Sequence, residues 1–232
     1  MFQRLAIDRG AILFDAERVA APGPQMFEQD HWRARGDLIE HTGGRGSIHF
    51  IEGSGHRWAM RRYLRGGVPA QFALDRYLFL GEEWTRSFRE LWLLAALRQR
   101  GLPVPVPVAA CYRRGLLTYT AAIITERLAG ARSLSETLAA GCMDNTQWAA
   151  IGRCLRRFHD SGVQHADLNA HNIMLGEHGE VWLLDFDRGR LRNPGPWHER
   201  VLERLARSLA KISNGTIQWQ SGFALLRLAH DG

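Results

Sequence analysis

The stretch from His165 to Leu175, HADLNAHNIML, decides how the rest of this chain is read. It carries an acid at Asp167 and an amide at Asn172, in the pattern H-x-D-L-x-x-x-N. Thirteen positions beyond Asn172, the short apolar run in VWLLDFD ends on a second acid, Asp185. Such a run, bounded by turn residues, reads as a buried strand. The residue types complement one another. An acid like Asp167 can accept or orient a hydroxyl proton, while Asn172 and Asp185 offer hard oxygen ligands to a divalent cation. Asp and Asn are also ordinary turn residues, so their presence alone says little. Order and spacing carry the reading.

An acid ahead of an amide in one loop, followed by a strand ending in D-F, is the arrangement with which protein-kinase-like enzymes transfer a phosphoryl group. The sequence therefore predicts a phosphotransferase that uses ATP and Mg2+, with Asp167 as catalytic acid and Asn172 and Asp185 as metal ligands. The fold expected is α+β and protein-kinase-like, with two lobes. Residues 1–127 form a small β-rich nucleotide-binding lobe and residues 128–232 a helical catalytic lobe. His165 is expected to support the loop through backbone hydrogen bonds rather than to take part in chemistry.

Further pieces precede the loop in the order a kinase needs. Thr42 to Ser47 reads TGGRGS. Gly43, Gly44 and Gly46 there would let backbone amides approach phosphate oxygens that a side chain would obstruct. Only a G-x-G is present, with His49 where a third glycine would stand, and ordinary hairpins share such turns. A kinase strand then carries a cation for the phosphates, usually lysine. Here the strand reads WAMR, so Arg61 takes that place, with Ala59 on the same face by alternation. Arg62 reads as solvated. Glu90, in TRSFREL, is the acid placed to hold Arg61, whereas Glu82 and Glu83 sit where acids complement a helix start. The run Ile123 to Leu128, IITERL, resembles a strand entering a hinge, where backbone groups of Glu126 and Leu128 would pair with adenine. A plain strand-to-helix connection would read the same way.

The pattern also predicts strands near 11–14, 47–52, 56–63, 110–112 and 119–126, and helices near 84–100, 134–140, 146–160 and 198–212. The prolines of LPVPVPVAA enforce an extended connection. An apolar content of 45% implies a globular core. No run approaches the roughly 20 apolar residues of a membrane span, and the acid-bearing N-terminus lacks a signal peptide's apolar core. A cytoplasmic protein is expected. Cys111, Cys142 and Cys154 form no C-x-x-C pair and read as small buried or half-buried residues.

A net charge of +6 implies attraction to something acidic. All but Lys211 of the thirty basic residues are arginine, which binds phosphate and carboxylate with a two-pronged fork. On charge alone, nucleic acid, an anionic lipid surface and a phosphorylated sugar stay open. No nucleic-acid reader motif is present, so neither nucleic acid nor a protein partner is expected. Past Asp185, Asp187 replaces the glycine of D-F-G and no A-P-E follows. The short basic segment Arg188 to Trp197 replaces the longer platform on which a protein substrate docks. That favours a small-molecule or glycolipid acceptor, with Arg65, Arg188, Arg190 and Arg192 as candidate contacts.

Taken together, MRRYLRGG (Met60 to Gly67), DRYLF (Asp75 to Phe79), TRSFREL (Thr85 to Leu91), GLPVPVPVAA (Gly101 to Ala110), TERL (Thr125 to Leu128), HADLNAHNIML and LLDFDRGRLR (Leu183 to Arg192) make the chain resemble the kinases of the lipopolysaccharide inner core, the 3-deoxy-D-manno-octulosonic acid (Kdo) kinases. The resemblance covers most of the chain. It implies ATP-dependent phosphorylation of the Kdo 4-hydroxyl on Kdo–lipid A, and peripheral attachment to the anionic surface at the cytoplasmic face of a Gram-negative inner membrane. Two other readings stay open at this point. One is a kinase of another hydroxyl, on a core heptose or an aminoglycoside-like molecule, although that last group reads HGDLHPGN in the loop. The other is a catalytically silent kinase-like binding module, suggested by Arg61 and the incomplete glycine turn.

Overall fold

The structure, a computed structural model, describes residues 1–39, 48–53, 55–63, 76–193, 195–215 and 218–232. The chain divides into two compact units, Met1–Ala95 with Val106–Arg127, and Ala96–Pro105 with Leu128–Gly232.

The first unit is built on one antiparallel sheet. Strands β1 (Phe2–Ile7) and β2 (Gly10–Asp15) form a hairpin, followed by a 3-10 turn (Pro24–Phe27) and helix α1 (Gln29–Ala34). Strands β3 (Leu38–Ile39), β4 (Ile48–Gly53), β5 (His56–Arg62) and β6 (Tyr77–Leu78) come next, then helix α2 (Arg86–Gln99) and strands β7 (Pro107–Arg114) and β8 (Thr118–Glu126). Among the described residues the sheet order is β1-β2-β7-β8-β5-β4-β3, with β6 on β8. The run β3-β4-β5-α2-β7-β8, in which β8 pairs with β5 and leaves β7 beyond it, is the small lobe of the protein-kinase fold. The β1–β2 hairpin widens it past β7. Alternation along β5 sends Trp58 and Met60 into the core and leaves Ala59 and Arg61 on the opposite face. Phe27, Trp32, Ile12, Phe14, Ile51 and Ile124 fill the same core, and the Trp32 indole donates to the Met26 carbonyl at 2.8 Å. Helix α2 buries Phe88, Leu91, Leu94 and Leu97 at the spacing of one helical face.

The second unit begins with the last turn of α2 and the proline segment. Gly101, at φ +70°, ends the helix in the left-handed position that glycine tolerates. Strand β9 (Arg132–Ser133), helices α3 (Leu134–Ala139) and α4 (Asn145–Asp160), strands β10 (Val163–Gln164), β11 (Ile173–Leu175), β12 (Val181–Leu183) and β13 (Arg190–Leu191), and helices α5 (Trp197–Ser213) and α6 (Gln220–Asp231) follow. Reciprocal capping boxes open two of the helices, Ser133 with Glu136 for α3 and Asp144 with Gln147 for α4. Two glycines let α4 and α6 meet closely. A Cβ on Gly152 would stand 2.2 Å from the Leu226 carbonyl oxygen, and one on Gly222 would stand 2.1 Å from the Trp148 ring nitrogen.

The same helices bury a group of imidazoles. His159 of α4 is 2% exposed, lies flat against His198 of α5 at 4.5 Å, and shares a 2.8 Å hydrogen bond between its Nδ1 and Nε2 of His230 of α6. Burial, reinforced by the two neighbouring imidazoles, pushes the His159 pKa down to about 3. The unfolded chain takes up this proton near pH 6.5 and the folded chain does not, so the contribution to stability is complete above about pH 6.5 and is lost as pH falls toward 3. Thermal melts should therefore show the midpoint dropping between about pH 7 and pH 5. In His159→Phe that slope should flatten; an unchanged slope in the variant would assign the acid sensitivity elsewhere.

Three readings from sequence need correcting. Cys111 and Cys154 are buried, but Cys142 is exposed. Arg62 is not simply solvated, because its Nη2 donates to the Phe27 carbonyl at 3.0 Å and to Glu28 at 2.6 Å. Glu82 does more than complement a helix start. It accepts two 2.8 Å hydrogen bonds from Arg4 and one of 2.6 Å from the Tyr112 hydroxyl, tying β1 to β7. The Arg4 guanidinium holds its carboxyl below the usual range.

Candidate active site

In the first unit, β5 and α2 bring a cation and an acid together. Arg61 Nη2 donates to both carboxylate oxygens of Glu90, at 2.8 and 2.6 Å. The Tyr63 hydroxyl donates to Glu90 Oε2, and the Arg61 guanidinium lies 4.6 Å over the Tyr63 ring. Glu90 is 3% exposed and Arg61 21%. A carboxylate this deep is tolerable only when paired and hydrogen-bonded, and here both conditions hold. The pair stands at the positions where the sequence placed the phosphate-binding cation and its holding acid. Tyr63, which the sequence reading passed over, completes the grouping.

Glu126 ends β8. Its N–H donates to the Val106 carbonyl at 2.8 Å and its carboxylate accepts from Arg18 at 2.9 Å. The side chain is thus engaged within the sheet. Leu128 opens the second unit, and its carbonyl accepts a 3.4 Å bond from the Ala131 amide. Gly43, Gly44, Gly46 and Arg65 lie outside the described residues.

In the second unit, the HADLNAHN loop connects β10 to β11 and is anchored by fully buried Leu168 and Ala170. The Ala170 amide donates to the Ser208 hydroxyl of α5 at 3.1 Å, and its carbonyl accepts from the Ser135 amide at 3.1 Å. The Asp167 carbonyl accepts from the side-chain amides of Asn169 and Asn172, at 2.9 and 3.0 Å. Asn172 spends its amide nitrogen inside the loop, so its amide oxygen is the atom that could meet a cation.

His165 fastens this loop to Leu184, between the end of β12 and Asp185. Its Nδ1 accepts from the Asp167 amide at 3.2 Å, so Nε2 carries the ring proton and donates to the Leu184 carbonyl at 2.7 Å. Burial pushes its pKa down and keeps the ring neutral. The Leu184 amide in turn donates to the Asn172 carbonyl at 2.9 Å. The Asn172 side-chain amide, the His165 ring and the Leu184–Asn172 main-chain bond thus tie the backbone positions of Asp167, Asn172 and the segment entering Asp185 to one another. Asp185 itself adopts φ +62°, a left-handed conformation that costs a non-glycine residue energy and concentrates at functional sites. Phe186, 1% exposed, fixes the next position by stacking on Phe158 at 5.7 Å and leaning on His165 at 4.8 Å.

The Asp167 carboxylate projects from this scaffold at 58% exposure, where Arg204 of α5 donates to its Oδ1 from Nε at 2.9 Å and also from Nη2. Arg204 was not foreseen. That stretch reads in sequence only as a basic helix, with nothing to single out one arginine facing an acid in another element. Of the arginines proposed for the acceptor, Arg188 and Arg190 are exposed, and Arg192 Nη1 holds Gln164 at 3.0 Å. Among the described residues no three His, Cys, Asp or Glu side chains gather as a metal site. An amide and a carboxylate, Asn172 and Asp185, fit an ion such as Mg2+ that takes much of its shell from phosphate oxygens and water.

Residues 29–224 match the model of the Lipopolysaccharide kinase (Kdo/WaaP) family. The chain is 46% identical over 226 residues to a 3-deoxy-D-manno-octulosonic acid kinase of Stenotrophomonas maltophilia (strain K279a), covering 96% of this chain and 90% of that protein. It is 48% identical over 204 residues to one of Xylella fastidiosa (strain 9a5c), covering 88% and 81%. Among solved structures, monomeric WbdD is similar over 80% of this chain and 44% of that one, with 18% identity and a TM-score of 0.49. By the family match and by these identities, the chain belongs to the lipopolysaccharide kinase (Kdo/WaaP) family, a family of enzymes.

Proposed function

We propose that this protein transfers the γ-phosphoryl group of ATP to the 4-hydroxyl of Kdo in Kdo–lipid A, while docked on the cytoplasmic face of the inner membrane. The observation that carries the reading is the exposed Asp167 carboxylate, on a loop whose backbone is tied to Asn172 and to the strand entering Asp185. Relatives at 46% and 48% identity are named 3-deoxy-D-manno-octulosonic acid kinases, which supports Kdo as the acceptor sugar.

In this reading the acceptor oxygen forms a bond to the γ-phosphorus, the bond from that phosphorus to the β,γ-bridging oxygen breaks, and ADP departs. The proton of the hydroxyl passes to Asp167 as the new bond forms. Arg204 holds one carboxylate oxygen of Asp167, which orients the other toward the acceptor. Arg61, kept in place by Glu90, supplies positive charge to the nucleotide phosphates. Asn172 and Asp185 would hold Mg2+, which when bound neutralises charge on the phosphate oxygens. Among the described residues no helix is long and apolar enough to cross a membrane. A net charge of +6 supports surface docking, at about 1 kcal/mol per basic residue near an anionic leaflet.

The assay is incubation with ATP, Mg2+ and Kdo–lipid A, read by mass spectrometry and by NMR of the sugar. One added phosphate at O-4 of Kdo is expected. An unchanged Kdo glycolipid, beside a phosphorylated heptose-bearing acceptor, would move the protein to a different hydroxyl.

A further inference from the structure

The first unit ends, on one edge, in an apolar surface that the chemistry above does not use. Strands β7 and β8 are joined by Gly115, Leu116 and Leu117, and here Leu116 is 91% and Leu117 69% exposed. Leu78 of β6 and Leu80 just after it are 64% and 71% exposed. These leucines belong to one piece of structure. Leu78 pairs with Thr118 in the sheet, and the Phe79 amide donates to the Leu117 carbonyl at 3.0 Å. On its other side the tip is pinned to the β1–β2 turn, where the Arg114 amide donates to the Arg9 carbonyl at 2.6 Å. The surface is rigid and built from four leucines where polar turn residues would serve. Contiguous exposed apolar patches of this kind mark interaction sites.

Charge identifies the occupant. Arg9 and Arg114 stand beside the leucine tip and, with Gly115 and Leu116, line a shallow pocket of about 390 Å3. The Arg114 guanidinium lies 4.2 Å over the Phe79 ring, which fixes its direction. Acids stand nearby in the chain, Asp8 beside Arg9 and Glu83 three positions after Leu80. Leucines flanked by Arg9 and Arg114, the cations beside rather than among the apolar side chains, match a bilayer interface. There apolar side chains enter the acyl boundary while guanidinium forks meet lipid phosphates. We propose that this edge, with Leu116, Leu117, Leu78 and Leu80 as the inserting face and Arg9 and Arg114 as its phosphate-binding rim, is the surface by which the protein docks on an anionic phospholipid bilayer. The inference rests on the peripheral attachment proposed above and assigns it to a place on the fold.

The test is co-sedimentation of the full chain with vesicles of pure phosphatidylcholine or of phosphatidylcholine with about one third phosphatidylglycerol. Wild type should sediment with the anionic vesicles. Leu116→Ser with Leu117→Ser should weaken that binding about ten-fold or more. Arg9→Ser with Arg114→Ser should reduce the preference for anionic over neutral vesicles. Both pairs should keep the wild-type melting temperature and full turnover of detergent-dispersed acceptor, since neither touches the reacting groups. Wild type that binds neither vesicle would overturn peripheral attachment itself. Wild type that binds, with the leucine pair binding equally well, would overturn only this surface. A leucine pair that loses self-association on size-exclusion chromatography, with vesicle binding intact, would assign the face to a second copy of the chain and also overturn the proposal.

Discussion

Asp167→Asn is expected to lower kcat by about three orders of magnitude, the scale of a positioned proton acceptor, with the melting temperature almost unchanged. The structure separates the two effects. The side chain is 58% exposed and its partner Arg204 48%, so the ion pair adds at most about 1 kcal/mol to stability. The loop is held instead by the main chain of Asp167, whose carbonyl and amide bind Asn169, Asn172 and His165. Asparagine keeps all of those main-chain contacts and loses the charge that pairs with Arg204 and the ability to take the hydroxyl proton. Steady-state kinetics on the glycolipid, run beside a thermal melt, reads both quantities. Retention of about a tenth of wild-type turnover or more would remove Asp167 from the role given to it here.

The second large effect is at Arg61. Removing it in Arg61→Ala takes from the Glu90 carboxylate, 3% exposed, the guanidinium that donates to both of its oxygens. Breaking one side of a buried pair costs about 3–5 kcal/mol, so the denaturant midpoint should fall sharply along with kcat/KM for ATP. Arg61→Lys restores the charge but not the fork, and should recover most of the stability and part of the activity. Adding Glu90→Gln to the alanine variant neutralises the buried acid that has lost its arginine, so stability should rise while activity stays low. Urea unfolding and ATP kinetics on the variants decide the matter. Equal stability and activity in the alanine and lysine variants would make Arg61 an ordinary surface residue.

The parts of the protein legible in sequence are those in which spacing itself is the signal. The strand WAMR, the helix around FREL and the HADLNAHN loop each carry a candidate site residue at a fixed offset within an apolar pattern, and the structure has β5, α2 and the β10–β11 loop there. The proline tract stays extended, as the missing amides demand, and passes into β7. What escaped depends on partners distant in sequence. Strand β1 reads FQRLAI, an unremarkable alternation until its pairing with β2 makes it an edge strand. Helix α6 contains Gly222, a poor helix former retained because a Cβ would strike Trp148 of α4. The two-residue strands β3, β6, β9, β10 and β13 have no periodicity to detect. Arg204 meets Asp167 across 37 positions, through the fold of α5 against the loop, and no local pattern encodes that meeting.

One imidazole constrains where the reaction's proton can go. Both ring nitrogens of His165 are committed, one to the amide of the residue that would take the proton and the other to the carbonyl ahead of Asp185. A buried, neutral ring with no open site cannot pass a proton inward, so the loop holds no relay through its histidine. In the proposed reaction Asp167, facing outward beside an exposed guanidinium, would discharge directly to bulk water at the end of each cycle. The loop would then be a terminus for that proton, with its geometry fixed from within by the His165 ring.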